Sequence, residues 1–401
     1  MLTLDEAYRR LLARAHPTDA ERVPLTDAVG RVLFEPKVVA AVDVPPFANS
    51  AMDGFALRAS DAPGSLRVVG EVSAGAPSLP TVEPGTAVRI MTGAPIPPGA
   101  DTVVPVEEAT EADGLVSIAE PTLSGRHVRA AAHDTRAGDE ICITDALTPA
   151  RIGVLASLGI GEVEVRRRPV VAILSTGNEL VGPGEPLGPG QIHDANGAAL
   201  AAAVAEAGGV PLLLPRQRDE SRTIESALTD AAQGADLVVT SGGVSVGQHD
   251  YVRAVLEERG SLDFWRIAVQ PGKPLAVGSF GGSTVMGLPG NPVSALVTFE
   301  LFVRPMIRVM QGLSGDGRLR VRARPTERMT KDVSRRAFLR VSVWREDGDI
   351  HARPAGGQQS SQLRPLADGN ALLIVPEGVE AAEPPLTYEA IVFEPLLLVG
   401  R

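Results

Sequence analysis

Apolar positions in residues 1–16 recur at helical spacing, with acids ahead of bases. They predict an amphipathic helix that opens at Thr3, with Glu6 at capping-box spacing. From about 23 to 150 the pattern changes to short β-rich runs (67–72, 87–91, 102–107, 115–118), broken by turns such as Pro84-Gly85 and Pro97-Pro98-Gly99. That alternation predicts an all-β insert of one or two small sheets. A helix over 149–158 follows, with Pro149 at its start and Gly159 just past its end. Between 169 and 311 apolar runs alternate with helical patterns: strands at 170–174, 210–214 and 237–240, helices at 196–207, 220–233 and 251–258. Further strands near 263–269, 275–277 and 284–286 precede one long helix over 292–310. Fully apolar strands alternating with helices predict a parallel sheet covered on both faces, which binds ligands at the carboxyl ends of its strands. The tail, about 318–401, returns to β alternation (339–344, 371–375, 389–394) and predicts a small C-terminal β domain. The expected fold class is multidomain α/β plus β.

Composition sharpens this picture. With 401 residues the chain exceeds one ordinary core, and two to four domains are expected. Aromatics are only 3%, so Val, Leu, Ile and Ala must fill the cores, while 42 Gly and 33 Pro imply many turns. The formal net charge of −11 argues against nucleic acid and anionic membrane as partners, although a local site can still hold an anion. A single cysteine, Cys142, excludes an internal disulfide and a Cys-based zinc site and favours a reducing compartment. The first residues lack the basic start and uncharged apolar core of a signal peptide, and no apolar run reaches the roughly 20 residues of a membrane span. Cytoplasm is the expected location.

The candidate chemistry lies just after three apolar strands. The loops are Ser175-Thr-Gly-Asn-Glu179, the glycine-rich Thr240-Ser-Gly-Gly-Val-Ser-Val-Gly-Gln-His-Asp250, and Gly287-Leu-Pro-Gly-Asn-Pro-Val-Ser-Ala295. In the third, Asn291 is a good helix N-cap, Pro292 fits the first helical position, and Gly290 admits a ligand close to the backbone. Free N–H groups there, and in the second loop, would bind an anion. Helix caps and turns remain the simpler reading of each loop taken alone. No GxxxxGK[ST] occurs, since the only Gly-Lys is followed by Pro274, and no GxGxxG opens a helix after a strand.

The motifs Ser-Gly-Gly-Val-Ser-Val-Gly (241–247), Pro-Gly-Lys-Pro (271–274) and Leu-Pro-Gly-Asn-Pro-Val-Ser-Ala (288–295) closely resemble the MoeA/gephyrin E-domain family of molybdopterin molybdenumtransferases. So do Asn-Ser-Ala-Met-Asp-Gly-Phe-Ala (49–56), Ile-Met-Thr-Gly-Ala-Pro (90–95), Gln-Ile-His-Asp-Ala-Asn (191–196) and Arg-Ala-Phe-Leu-Arg-Val (336–341), in the family's order along nearly the whole chain. The resemblance implies an elongated homodimer of four-domain protomers whose active cleft is shared between subunits. The domains would be a discontinuous connecting domain I (1–40 with 130–168, its N-terminal helix packing on domain III), a β-rich domain II (41–129), a MogA-like parallel α/β domain III that binds molybdopterin (169–311), and a β domain IV (312–401). It also implies a reaction in which adenylylated molybdopterin and molybdate give molybdenum cofactor and AMP, assisted by Mg²⁺ or a similar ion. The molybdopterin adenylyltransferase and molybdoenzymes are the further partners implied.

Carried over by motif, the catalytic set is Asp53, Thr92, Asp134, Glu179 and Asp250, with Glu179, Asp250 and Asp53 as metal ligands. Substrate binding falls to Ser241, Gly242, Gly243, Ser245, Gly247, Asp219, Arg266, Lys273, Pro289, Gly290, Asn291, Pro292, Ser360 and Ser361. A phosphoanhydride substrate calls for charge neutralisation, which a hard cation on oxygen ligands provides. Plain readings stand beside these: Asp53-Gly54 and Thr92-Gly93 are common turn pairs, Asp219 can cap the next helix, and Arg266 can be a solvated strand residue. The chain departs from the family at Ala130–Ala132 and His133, where basic residues and Gly-Glu are lost, at Gln270 in place of lysine, and at Ala48 in place of an acid. The pairs His133-Asp134, His193-Asp194 and His249-Asp250 raise the idea of a softer metal, although neighbours on a strand face opposite ways. The alternatives are a paralogue with changed metal or pterin preference, a non-catalytic pterin-binding scaffold, and a lone adenylyltransferase of the related fold.

Overall fold

The computed structural model describes residues 2–244 and 250–394, with Trp265 described by its backbone alone. The chain forms two compact units, Arg22–Val165 and Met1–Glu21 with Arg166–Arg401.

In the larger unit, apolar alternation resolves into a six-stranded sheet. Val170–Ser175 is flanked by Val210–Leu213 and Leu237–Ser241, and Ser283–Leu288 lies beyond the latter, all parallel. The sheet continues antiparallel through Pro274–Phe280 and Ser261–Arg266, so the expected parallel sheet carries an antiparallel edge. The physical reason is connection length: only Gly281-Gly282 joins Pro274–Phe280 to Ser283–Leu288, too short for the crossover a parallel pair needs. Both faces are covered. Ala172, Leu174, Val238 and Val285 pack against the Ser221–Gly234 and Tyr251–Arg259 helices, while Val171, Ile173, Val239 and Met286 share a core with Leu200, Val204 and Val293–Met310.

The N-terminal helix, Leu4–Leu12, joins that second core through Ala7 and Leu11. Thr3 caps it by accepting the Glu6 N–H at 3.2 Å, but Glu6 turns its carboxylate to Arg9 and Arg10, so only half of the capping box forms. The expected helix over 292–310 is interrupted: Pro292–Thr298 and Arg304–Met310 are α-helical and Phe299–Val303 is a π turn. Pro305 has no N–H to return to residue 301, and the widened turn absorbs that gap.

The C-terminal β pattern closes into a small barrel. Arg336–Glu346 pairs with both Asp349–Pro354 and Ala371–Val375, and Leu319–Pro325 and Tyr388–Val392 complete the ring. Its interior is Leu339, Val341, Val343, Leu373 and Tyr388. Val269–Gln270 adds a short strand beside Arg336 and Ala337. Between sheet and barrel, Arg318 is clamped by Glu300 (2.6 and 3.1 Å) and Glu206 (2.8 and 3.0 Å), with Arg304 beside both acids.

The Arg22–Val165 unit carries a six-stranded sheet within 54–118, Gly54–Leu57 lying between Thr86–Ile90 and the edge strand Thr102–Pro105. Phe55 and Leu57 face one core and Ala56 and Val88 the other, as strand alternation requires. A separate core of Leu25, Leu33, Ile143, Leu147, Leu155 and Val165 lies under the Pro149–Ser157 helix. Among the described residues no helix is long and apolar enough to cross a membrane.

Candidate functional site

In the larger unit the parallel strands end in polar loops, and a cavity of about 580 Å³ opens there. Glu179 and Asp219 line it, together with Ser241, Gly242, Gly243, the 289–292 turn and Ser361. The first and third expected loops therefore share one cavity with the described start of the second. Ser245 and Gly247 lie outside the described residues, as does His249.

The cavity floor is made of backbone. Gly242 (φ +96°) and Gly243 (φ +68°) turn the chain sharply after Leu237–Ser241. A Cβ on Gly242 would stand 2.7 Å from the Thr176 carbonyl oxygen and 2.8 Å from its hydroxyl, so only glycine fits. The Gly242 N–H is used by Leu288 O at 3.1 Å. Among the described residues no acceptor meets the N–H of Gly243, Gly290 or Asn291, and these three amides border the cavity. The Thr176 hydroxyl is buried without a partner among the described residues. Open amides and an orphaned hydroxyl suit a ligand rich in acceptor oxygens, such as a phosphate.

The third loop differs from expectation in two respects. Asn291 occupies the N-cap position, but its side chain makes no cap bond and instead donates to Ser360 Oγ at 3.1 Å. The Val293 N–H, expected to face an anion, donates to Ser360 O at 3.2 Å. The tail's serine motif thus competes for the first turn, and the anion-facing amides lie before the helix rather than in it. Asp219 does not cap the next helix: Glu220 holds that position, and Asp219 is half-buried in the cavity wall. Asp250 begins the Tyr251–Arg259 helix and is not among the cavity-lining residues. Lys273 is exposed beside the lining residue Pro274, and Arg266 ends the antiparallel edge strand opposite Pro274.

Two residues absent from the sequence-based set tie this site together. Asn196, at the start of the Ala195–Glu206 helix, donates to Ser241 Oγ at 2.8 Å and to Gly290 O at 2.7 Å. Arg340, 1% exposed, donates to the carbonyls of Gly357 and Gln359 and so holds the segment bearing Ser360 and Ser361. Burial, with no carboxylate partner among the described residues, pulls its guanidinium down to about 10. The signal for Arg340 was present: it shares strand parity with Phe338, on the face that leaves the barrel interior and meets the α/β core. Asn196 offered no such pattern.

In the Arg22–Val165 unit the structure pairs two candidates that sequence treated separately. Asp53 Oδ1 accepts from the Thr92 N–H at 2.6 Å and from its hydroxyl at 2.7 Å. These donors, the backbone one first, hold the Asp53 carboxyl below its ordinary value, so it stays ionised. Asp134 is exposed, its N–H bound to Val44 O at 2.9 Å.

As to metal, three carboxylates line the cavity, Glu179, Asp194 and Asp219; Asp194 is committed to its helix cap, and Glu179 with Asp219 is the pair that suits Mg²⁺ completed by water and phosphate. Among the described residues no group of three or more His, Cys, Asp or Glu gathers for a metal. The His193-Asp194 pair is divided: His193 Nε2 meets Glu185 O at 2.9 Å, while buried Asp194 caps its helix through the Gly197 N–H at 2.8 Å. A larger cavity, about 710 Å³, lies between the Leu4–Leu12 helix and the barrel and contains none of the strand-end loops.

Comparison with known proteins gives three family matches along the chain: MoeA N-terminal region (domain I and II) over residues 2–159, probable molybdopterin binding domain over 172–309, and MoeA C-terminal region (domain IV) over 322–384. The chain is 40% identical over 371 residues to a Mycobacterium tuberculosis (strain ATCC 25618 / H37Rv) protein named molybdopterin molybdenumtransferase 2, covering 89% of this chain and 91% of that one. It is 39% identical over 382 residues to the Haemophilus influenzae molybdopterin molybdenumtransferase, with 94% of each covered. A crystal structure of a molybdopterin biosynthesis moeA protein from Pyrococcus horikosii superposes with a TM-score of 0.84 at 33% identity, covering 98% of this chain and 99% of that one.

Proposed function

The chain belongs to the MoeA family, and on that premise we propose that it is a molybdopterin molybdenumtransferase acting in molybdenum cofactor biosynthesis. Its substrates are adenylylated molybdopterin and molybdate, and its products are molybdenum cofactor and AMP. The observation that carries this reading is the strand-end cavity lined by open amides, a hydroxyl and the carboxylates of Glu179 and Asp219.

The chain's own groups account for most of the work. The N–H groups of Gly243, Gly290 and Asn291 and the Ser241 hydroxyl take phosphate oxygens, fixing the phosphoanhydride at the sheet edge. Pro289 and Pro292 stiffen the turn that presents two of those amides. Glu179 and Asp219 would hold Mg²⁺, and Asp250 and Asp53 remain further ligand candidates. When bound, Mg²⁺ supplies neutralisation of the phosphate charge. Lys273 and Arg266 add positive charge for molybdate or phosphate, and Ser360 and Ser361 bring the barrel's segment to the turn. Asp53, kept ionised by Thr92, and Asp134 complete the proposed catalytic set.

The same reading makes the protein a cytoplasmic homodimer of four domains: I at 1–40 with 130–168, II at 41–129, III at 169–311 and IV at 312–401. Separate cores under 25–165, within 55–118, around the α/β sheet and inside the barrel support that division. One observation favours the paralogue reading, with changed metal or pterin preference. Gln270 Oε1 accepts the Asp332 N–H at 3.0 Å, so this departure exchanges a lysine's charge for a tether.

Purified protein given adenylylated molybdopterin, molybdate and Mg²⁺ releases AMP in step with cofactor formation on this account. Pterin binding without AMP release would replace the enzyme with a scaffold.

A further inference from the structure

The two hydrogen bonds of Asn196 do more than close a loop. Gly290 O is only an acceptor, so the side-chain nitrogen must face it, and that same nitrogen carries a second hydrogen to Ser241 Oγ. Both amide hydrogens are thereby committed, one to each loop.

Each bond has a consequence on its far side. A trans peptide sets C=O and N–H antiparallel, so holding Gly290 O from behind fixes the direction of the Asn291 N–H, one of the open amides. A hydroxyl that accepts from Asn196 keeps its own hydrogen, and no described group accepts the hydrogen of Ser241. Ser241, which lines the cavity, is thus left as a donor. The support itself is firm: Asp194 is buried and caps the helix through Gly197, and its own N–H is bound to Val181 O at 2.8 Å.

We propose that Asn196 is a positioning residue that sets two anion-binding donors at once, the Ser241 hydroxyl and the Asn291 amide, for the phosphate of the substrate. This rests on the functional reading above but goes past it, since it assigns the preorganisation of the cradle to one side chain. Aspartate, nearly the same shape, reverses the design: a carboxylate repels Gly290 O, draws the Ser241 hydrogen to itself and adds a negative charge beside the anion.

The test is AMP binding by calorimetry, with Mg²⁺ held constant, on full-length protein. Asn196→Ala and Ser241→Ala should each weaken AMP by about 10- to 100-fold, the range for hydrogen bonds to charged groups. The double variant should bind no more than a few-fold worse than Asn196→Ala alone, because Asn196 acts in part through Ser241 and its loss already misdirects that hydroxyl. Asn196→Asp should lose the most and recover part of its affinity as its carboxyl protonates, since a protonated acid can again donate. Thermal unfolding of each variant accompanies the titrations. Independent, multiplicative losses in the double variant, or affinity that tracks the fall in Tm, would overturn the inference. If the native protein does not bind AMP at all, the functional reading fails first; if it binds and the Asn196 variants bind equally well, only this inference fails.

Discussion

Replacing Gly242 with alanine puts a methyl where the structure has no room. The added Cβ lies 2.7 Å from Thr176 O and 2.8 Å from Thr176 Oγ1, and φ is +96°, a region that L-residues rarely adopt. Residues held in such regions cost about 1–3 kcal/mol each, and the backbone contact adds to that unless the turn moves. Moving it away from Thr176 stretches the Gly242 N–H···O Leu288 bond and shifts the open Gly243 amide. Misplacement of a binding group by roughly 1 Å can cost on the order of 100-fold in rate. We therefore expect Gly242→Ala to weaken AMP by at least about tenfold and to lower the Tm by several degrees, at roughly 2–4 °C per kcal/mol for a domain of this size. Gly290→Ala is the control. Its Cβ would meet only Gly242 Cα at 3.7 Å, an ordinary contact, so its Tm should stay within about 1 °C of the native value while AMP binding falls. Calorimetry and differential scanning fluorimetry read both quantities. Native AMP affinity and native Tm in Gly242→Ala would refute the reasoning.

Three other outcomes follow from the same geometry. Thr92→Val removes the hydroxyl donor to Asp53, so the carboxyl rises toward its ordinary value and the acid limb of the activity profile moves to higher pH; an unmoved limb would mean the ionised form of Asp53 is not required. Glu179→Gln should raise the Mg²⁺ concentration for half-maximal AMP release at least about tenfold without changing the Tm, and an unchanged Mg²⁺ titration would remove Glu179 from the metal site. Glu300→Ala leaves Arg318 and Arg304 to share Glu206 alone and should cost ~1–3 kcal/mol, measured by chemical denaturation of the full chain; an unchanged stability would show that Glu206 and water suffice for both arginines.

Much of the architecture was legible because it follows local rules. Continuous apolar runs at 170–174 and 237–240 became central parallel strands, and the alternation at 339–344 and 371–375 became barrel strands. What sequence misjudged turned on competition between partners. Asn291 has the chemistry of a cap, yet Ser360, 69 residues on, draws its side chain away. Glu6 sits at capping-box spacing but finds two arginines one turn later. The 292–310 pattern is unbroken in hydrophobicity, so only Pro305 signalled the π turn. At the site, the strand-end rule pointed to Glu179 and the 289–292 turn and the family resemblance added Asp219, all of which line one cavity, whereas Asn196 acts through two contacts distant in sequence and left no periodic trace. The Asp53–Thr92 bond likewise joins residues 39 apart, and neither one alone predicts it.

The most direct test is a crystal structure of the protein with AMP and Mg²⁺. The phosphate is expected within hydrogen-bonding distance of the Gly243, Gly290 and Asn291 amides and the Ser241 hydroxyl, with the cation between it and Glu179. AMP seated in the larger cavity beside the Leu4–Leu12 helix, with the strand-end cavity holding only water, would contradict the account.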